Sequence, residues 1–224
     1  MYEIINTDSL IWLNKIENNS LYNIITGLPD HDEVKEVYPN FDDYHDFFIS
    51  TINLIFSKLN KNGVCFFIQT NRKRNKAIYD KGFYIKEAAI KHGLKLISDK
   101  IVLFRDPGKI CIHRPGFGIV LGFSQQIGPG VATTDIFPFV KKNKLYKNGS
   151  PINATLYAVK FISHIRDKIS SKDNLITDKK TVIDLFCGQG TVPIICINNK
   201  LNVIGIDIDN TQCEITKQKI KNEI

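Results

Sequence analysis

Two aspartates and two glycines near the end of the sequence are spaced as a ligand site would need them. Asp184 closes the apolar run Thr181-Val182-Ile183, and Leu185-Phe186-Cys187-Gly188-Gln189-Gly190-Thr191 follows it. Glycines directly after a buried strand let the backbone turn tightly and come close to a ligand. Asp207 lies 17 residues beyond Gly190, at the end of the next apolar run, Val203 to Ile206. An acid at that point can accept hydrogen bonds from both hydroxyls of a ribose. A Gly-x-Gly turn alone merely joins a strand to a helix. The ordered series of strand, turn, helix, strand and terminal acid points instead to a cofactor containing a nucleoside. Pro193 stands where a dinucleotide fingerprint has its third glycine, which favours a cofactor without a pyrophosphate, such as S-adenosylmethionine. Asp184, just ahead of the turn, could meet that cofactor's ammonium group.

Other polar groups admit two readings each. Asp30-His31-Asp32-Glu33 follows Gly27-Leu28-Pro29 and reads first as a solvated acidic loop at a strand end. Within it, Asp30 could take a proton or bind a donor-rich substrate, with His31 assisting. Adjacent carboxylates do not by themselves set a coordination geometry, so no metal site is expected. The basic run Asn71-Arg72-Lys73-Arg74-Asn75-Lys76 is either a solvated loop or a grip on phosphates, through Arg72, Lys73, Arg74 and Lys76. Lys141-Lys142-Asn143-Lys144-Leu145-Tyr146-Lys147 is similar, with Tyr146 available to stack on a base. Phe186, Cys187 and the single tryptophan, Trp12, read as packing residues. Five cysteines without CxxC spacing read as reduced core thiols.

The elements that must position these groups alternate. Tyr2 to Asn6 and Leu21 to Thr26 are short apolar runs. Tyr44, Phe48, Ile52, Ile55 and Leu59 mark one face of a helix that Asn62-Gly63 should stop, and Val64 to Ile68 reads as a buried strand. A helix over Phe83 to His92, strand material from Leu94 to Phe104, a strand from Gly118 to Phe123 and a loop at Gly128-Pro129-Gly130 follow. Ala158, Phe161, Ile162, Ile165 and Ile169 mark another amphipathic helix before Thr181 to Phe186. This alternation predicts an α/β fold with a mainly parallel central sheet covered by helices on both faces.

The chain has 224 residues and a formal net charge of +7, enough for one α/β domain over residues 1–224. Its charge is uneven: residues 1–60 hold 3 basic and 10 acidic side chains, whereas 61–110 hold 12 and 4 and 111–180 hold 11 and 4. A basic middle suggests one positive face, useful against a polyanion. No apolar run is long enough to span a bilayer, and Met1-Tyr2-Glu3 does not open a signal peptide. The expectation is an intracellular protein without a membrane partner.

Asp184 to Thr191, followed by Gly205-Ile206-Asp207-Ile208, resembles the cofactor motifs of the amino-group DNA methyltransferases, in the order that puts the catalytic half before the cofactor half. The resemblance covers nearly the whole chain. Asn6-Thr7-Asp8-Ser9-Leu10 looks like the family segment whose acid, here Asp8, lies near the cofactor adenine. Leu21 to Pro29 occupies the place of the strand leading into the catalytic tetrapeptide, and Leu59 to Gly63 resembles the family's Leu-Lys-Pro-Gly-Gly passage. Ser150 to Leu156 sits where a loop and helix start touch the methionine end of the cofactor.

The resemblance implies a Rossmann-like methyltransferase fold. It also implies S-adenosylmethionine binding by Asp8, Asp184, Phe186, Cys187, Gly188, Gly190, Thr191, Asp207 and Ile208. One departure bears on catalysis. The family tetrapeptide is Asp, Asn or Ser, then Pro-Pro, then an aromatic residue. The first side chain and a proline carbonyl accept from the target amino group, and the ring stacks on the flipped base. Here the residues are Gly27, Leu28, Pro29 and Asp30. The segment between Phe123 and Ser150 also leaves no room for a large DNA-reading domain. The expected activity is methyl transfer to a nucleic-acid base, in RNA or single-stranded DNA over duplex, with a protein partner supplying target recognition. Two alternatives stand beside it. One is an inactive methyltransferase-like subunit that binds RNA or a partner enzyme, and the other a methyltransferase of a substrate that is not nucleic acid.

Overall fold

A computed structural model describes residues 1–74, 76–111, 115–128, 133–141, 149–166 and 179–223. The strands are β1 (Tyr2–Asn6), β2 (Leu21–Thr26), β3 (Leu59–Gln69), β4 (Arg72–Arg74), β5 (Ala77–Tyr79), β6 (Lys95–Leu103), β7 (Phe117–Ser124), β8 (Ile136–Phe137), β9 (Thr181–Asp184) and β10 (Asn202–Asp207). The helices are α1 (Ser9–Asn14), α2 (Phe41–Lys58), α3 (Lys81–Lys91), α4 (Ile152–Arg166), α5 (Thr191–Asn198) and α6 (Asn210–Glu223). Eight strands form one sheet in the order β1-β10-β9-β2-β3-β7-β6-β8, and β4 and β5 form a separate hairpin. The run from β1 to β3 is parallel, while β7 is antiparallel to both of its neighbours.

Burial explains the sequence pattern. All six residues of β2 are buried, as a central parallel strand covered on both faces requires. Helices α1, α2 and α3 pack together over one face, and α4, α5 and α6 over the other. Helix α2 starts where the Asn40 side chain accepts from the Asp43 amide at 2.9 Å, with Asp42 and Asp43 favourably placed in its first turn. It then buries Tyr44, Phe48, Ile52 and Ile55, the stripe read in the sequence. Asn62-Gly63 does not stop this helix. Helix α2 ends at Lys58, and both residues lie inside β3. There the pairing with β2 jumps from Leu21↔Leu59 to Asn23↔Val64, so the excess residues of β3 bulge between the two registers.

The chain leaves β9 through α5 toward β10, but leaves its neighbour β2 through α2 toward β3, on the opposite side. Between β9 and β2 the connections diverge and open a crevice at the C-terminal strand ends, where open α/β sheets bind ligands. Asp184 and Thr26 are the last residues of these two strands.

Candidate functional site

The turn after β9 is built for close approach. Gly188 and Gly190 take φ values of +48° and +83°, and Gly190 caps α5. A Cβ on Gly190 would come within 2.6 Å of the Thr216 methyl on α6, so the turn and α6 fit only with glycine there. The Thr216 hydroxyl donates to the Gly188 carbonyl at 2.8 Å, and the Lys219 ammonium to the Gln189 carbonyl at 3.2 Å. Both hold the loop from behind. Thr191 begins α5 and is buried.

Asp207 ends β10 and accepts from the Gly188 amide at 2.8 Å and the Asp209 amide at 3.0 Å. Burial raises its carboxyl above the usual value, against the pull of those two amides. Ile208 beside it is 68 % exposed. Asn6 donates to the carbonyls of Asp207 and Ile208 at 3.1 and 2.9 Å and ties the end of β1 to this rim. Asp8 caps α1, accepting from the Leu10 and Ile11 amides at 2.6 and 3.1 Å.

Asp184 is the most distinctive of these groups. It is 3 % exposed, and its Oδ1 is buried without a hydrogen-bond partner among the described residues, as is the Thr26 hydroxyl. Burial pushes the carboxyl up to about 7, aided by the Asp207 charge and opposed by the nearby Thr26 hydroxyl and Phe186 amide. An orphaned acceptor in a low-dielectric site costs stability unless a donor arrives. The ammonium of S-adenosylmethionine is such a donor, and the residues present fit it. Phe186 packs partly buried against the core. Cys187 is buried, and its thiol is pushed up by that burial.

Next to this cradle, Gly27, Leu28, Asp30, Gln69, Phe139 and Asn153 help to line a cleft of about 990 Å³. The loop before α4 closes the cleft on one side. Its Gly149 abuts Thr191 at the start of α5, so the cleft adjoins the turn after β9. Asn153 donates to the Pro138 carbonyl at 2.7 Å and anchors the segment carrying Phe139, whose ring is 42 % exposed.

The turn after β2 is closed to side chains. A Cβ on Gly27 would lie 2.7 Å from the Ile68 carbonyl oxygen. The Leu28 carbonyl accepts from the Gln69 amide at 3.0 Å, and the Pro29 carbonyl from the Tyr44 hydroxyl at 3.0 Å. Asp30 is not a free loop carboxylate. Its two oxygens pair with Arg72 and with Lys81, whose side chain is fully buried.

This pairing revises the reading of the basic run. Instead of lying in a loop, Arg72–Arg74 pairs with Ala77–Tyr79 as the β4–β5 hairpin, and three of its basic side chains have partners within the protein. Arg72 holds Asp30, Lys73 donates to the Cys111 carbonyl at 2.8 Å, and Arg74 lies 3.9 Å over the Phe41 ring. Lys76 remains exposed. The stretch Lys142 to Lys147, with Tyr146, and the Pro129-Gly130 loop lie outside the described residues. Among the described residues no His, Cys, Asp or Glu cluster could hold a metal, and no helix is long and apolar enough to cross a membrane.

Sequence reasoning missed Lys81, Thr26, Gln69 and Tyr44. Thr26 had a usable signal, since it ends the strand beside Asp184. A fully buried lysine has none.

A family model described as DNA methylase matches residues 129–218, the part of the chain that holds the cofactor turn. Among solved structures, a protein of Thermus thermophilus, provisionally named a DNA modification methylase and solved with S-adenosyl-L-methionine, superposes with a TM-score of 0.71 at 14 % identity. That match covers 100 % of this chain and 95 % of the other. The cytosine-N4-specific PvuII DNA methyltransferase gives 0.70 at 15 % identity, over 97 % of this chain and 87 % of its own. M1.HpyAVI in complex with SAM gives 0.62 at 17 % identity, over 98 % and 100 %. No curated protein sequence matches the chain. The resemblance to the amino-group DNA methyltransferases is borne out by the family model, and the Rossmann-like fold class by the structures. The expected enzyme class and cofactor agree with both.

Proposed function

We propose, on its likeness to the amino-group DNA methyltransferases, that the chain is an S-adenosylmethionine-dependent methyltransferase that modifies a nucleic-acid base. Bound S-adenosylmethionine supplies an electrophilic methyl group on a sulfonium centre. Asp184 accepts from its ammonium group, and Asp207 from its ribose hydroxyls. The backbone of Gly188 and Gly190, with Phe186, Cys187 and Thr191, shapes the walls between them. Ile208 presents an exposed apolar surface to the adenine, on a rim that Asp8 supports by capping α1. Gly27 to Asp30 and Phe139 face the acceptor, and positioning in the cleft supplies much of the rate. The observation that carries this reading is the buried Asp184 Oδ1 with no partner among the described residues, at the end of β9 beside the strand β2 that leads into the Gly27 turn.

The acceptor is an unpaired base, in RNA or single-stranded DNA over duplex, with a protein partner supplying target choice. Three basic residues of the β4–β5 hairpin, Arg72, Lys73 and Arg74, are engaged within the protein, which weakens the case for a grip on a duplex. Incubation with methyl-labelled S-adenosylmethionine and sequence-matched duplex DNA, single-stranded DNA and RNA tests this. Label should enter a single strand in preference to the duplex and become nuclease-sensitive. Label confined to protein, or to the duplex, contradicts it.

A second reading is an inactive subunit that retains the fold. The closed Gly27 turn and the doubly paired Asp30 favour it. Cofactor binding without transfer to any substrate would establish it in place of the first.

A further inference from the structure

We propose that Thr26, at the end of β2, is a second ligand for the amino-acid end of S-adenosylmethionine, acting with Asp184 across the seam between β2 and β9. This inference rests on the methyltransferase reading above and brings a residue of the first half of the chain into its cofactor site.

Strand β2 buries all six of its residues, so a polar side chain on it must find a partner inside the protein or cost stability. Asn23 finds two. It is 2 % exposed and donates to the carbonyls of Lys179 and Thr181 at 2.9 and 3.1 Å. Thr26 is 1 % exposed, and its hydroxyl has no hydrogen-bond partner among the described residues. An orphaned hydroxyl alone is not a site, since Thr51 in the middle of α2 carries one too. Thr26 differs in what stands beside it. Ile24 pairs with Ile183, which puts Thr26 one residue beyond Asp184 at the strand ends, and Asp184 Oδ1 is itself without a partner among the described residues. The hydroxyl is close enough to pull the Asp184 carboxyl down, against the effect of burial. Two unsatisfied polar groups, one from each half of the chain, thus meet where the strand connections diverge.

The chemistry of this pair fits a primary ammonium group. An ionised carboxylate can only accept, whereas a hydroxyl can donate its proton and also accept on its lone pairs. Thr26 can therefore donate to Asp184 and accept an N–H from an ammonium group that Asp184 also binds. One ligand group then removes both orphans. A ligand carboxylate or phosphate would set like charges side by side instead, so the pair favours a cation.

Threonine and valine have nearly the same shape, so Thr26→Val isolates the hydroxyl. The test is calorimetric titration of the wild-type chain, Thr26→Val and Thr26→Ser with S-adenosylmethionine and with 5′-methylthioadenosine, which lacks the amino acid. Thr26→Val should bind S-adenosylmethionine about tenfold more weakly, and Thr26→Ser, which keeps the hydroxyl, should lose no more than about twofold. Affinity for 5′-methylthioadenosine should be equal in all three proteins. Without ligand, Thr26→Val should raise Tm by about 2–4 °C, because it removes an unsatisfied buried hydroxyl. Wild-type affinity of Thr26→Val for S-adenosylmethionine, or an equal loss for both ligands, would overturn the inference and leave the methyltransferase reading standing. A ligand-free Thr26→Val that is less stable than the wild type, or that does not fold, would show that the hydroxyl is satisfied within the protein and would overturn it too. No binding of S-adenosylmethionine to a well-folded wild type would instead overturn the underlying reading.

Discussion

The carboxyl of Asp184 gives the molecule one source of pH dependence. Burial raises it from 3.8 to about 7, so the folded protein holds this proton more tightly than the unfolded chain does. Its contribution to stability is fully present below about pH 4 and is lost as pH rises through 7. A bound ammonium group prefers the ionised form, so cofactor affinity should fall as pH drops below 7. Asp184→Asn should then raise Tm at pH 8 in a thermal scan. It should also weaken S-adenosylmethionine roughly tenfold or more, since a charge-assisted hydrogen bond contributes about 1.5–3 kcal/mol. A variant with wild-type affinity at pH 8 would remove Asp184 from the site. Phe139 is an exposed ring in a cleft whose Gly27 to Asp30 turn carries no aromatic residue. Phe139→Ala should weaken binding of a fluorescein-labelled single-stranded oligonucleotide about tenfold by anisotropy, and Phe139→Tyr should not, because stacking contributes about 1–3 kcal/mol per base. Equal affinities would assign the ring to another purpose. Asp184 and Asp207 were legible in the sequence because their positions are tied to strand ends. The state of Asp30 was not, because its partners Arg72 and Lys81 lie 42 and 51 residues away and only tertiary packing joins them.

Among the elements, the β9–α5–β10 unit was readable almost residue by residue, since its apolar runs, glycines and terminal acid all report on local geometry. Boundaries set by neighbours were not. The Asn62-Gly63 pair looks like a helix stop, but the bulge between β2 and β3 absorbs it into a strand. The basic run looks like a loop, yet its pairing into β4 and β5 is fixed by Asp30 and the Phe41 ring. The junction of the cofactor turn with α6 gives a prediction at this scale. Gly190→Ala meets both a φ of +83° and the Thr216 methyl. It should cost about 1–3 kcal/mol of stability, read as a lower denaturant midpoint, and should weaken cofactor binding. The double variant Gly190→Ala with Thr216→Ala should recover only the part of the loss due to the methyl contact.

The whole molecule joins two halves at one seam. Residues from the first half supply β2 and its turn, residues from the second supply β9 and its turn, and the sheet sets them side by side. That arrangement sets the Gly188–Gly190 turn beside the turn that carries Gly27 and Leu28. The alternation of strands and helices predicted the parallel sheet and its two helical layers, but not the antiparallel β7, whose direction depends on pairings with β3 and β6 that no local pattern encodes. The central claim is that Asp184 and Asp207 hold S-adenosylmethionine at this seam. Calorimetric titration of the wild-type chain and of Asp207→Ala with S-adenosylmethionine tests it most directly. Saturable one-to-one binding to the wild type, weakened at least tenfold in a variant that keeps its fold, is the predicted result. A well-folded wild type that takes up no heat on titration, or an Asp207→Ala variant with unchanged affinity, would contradict it.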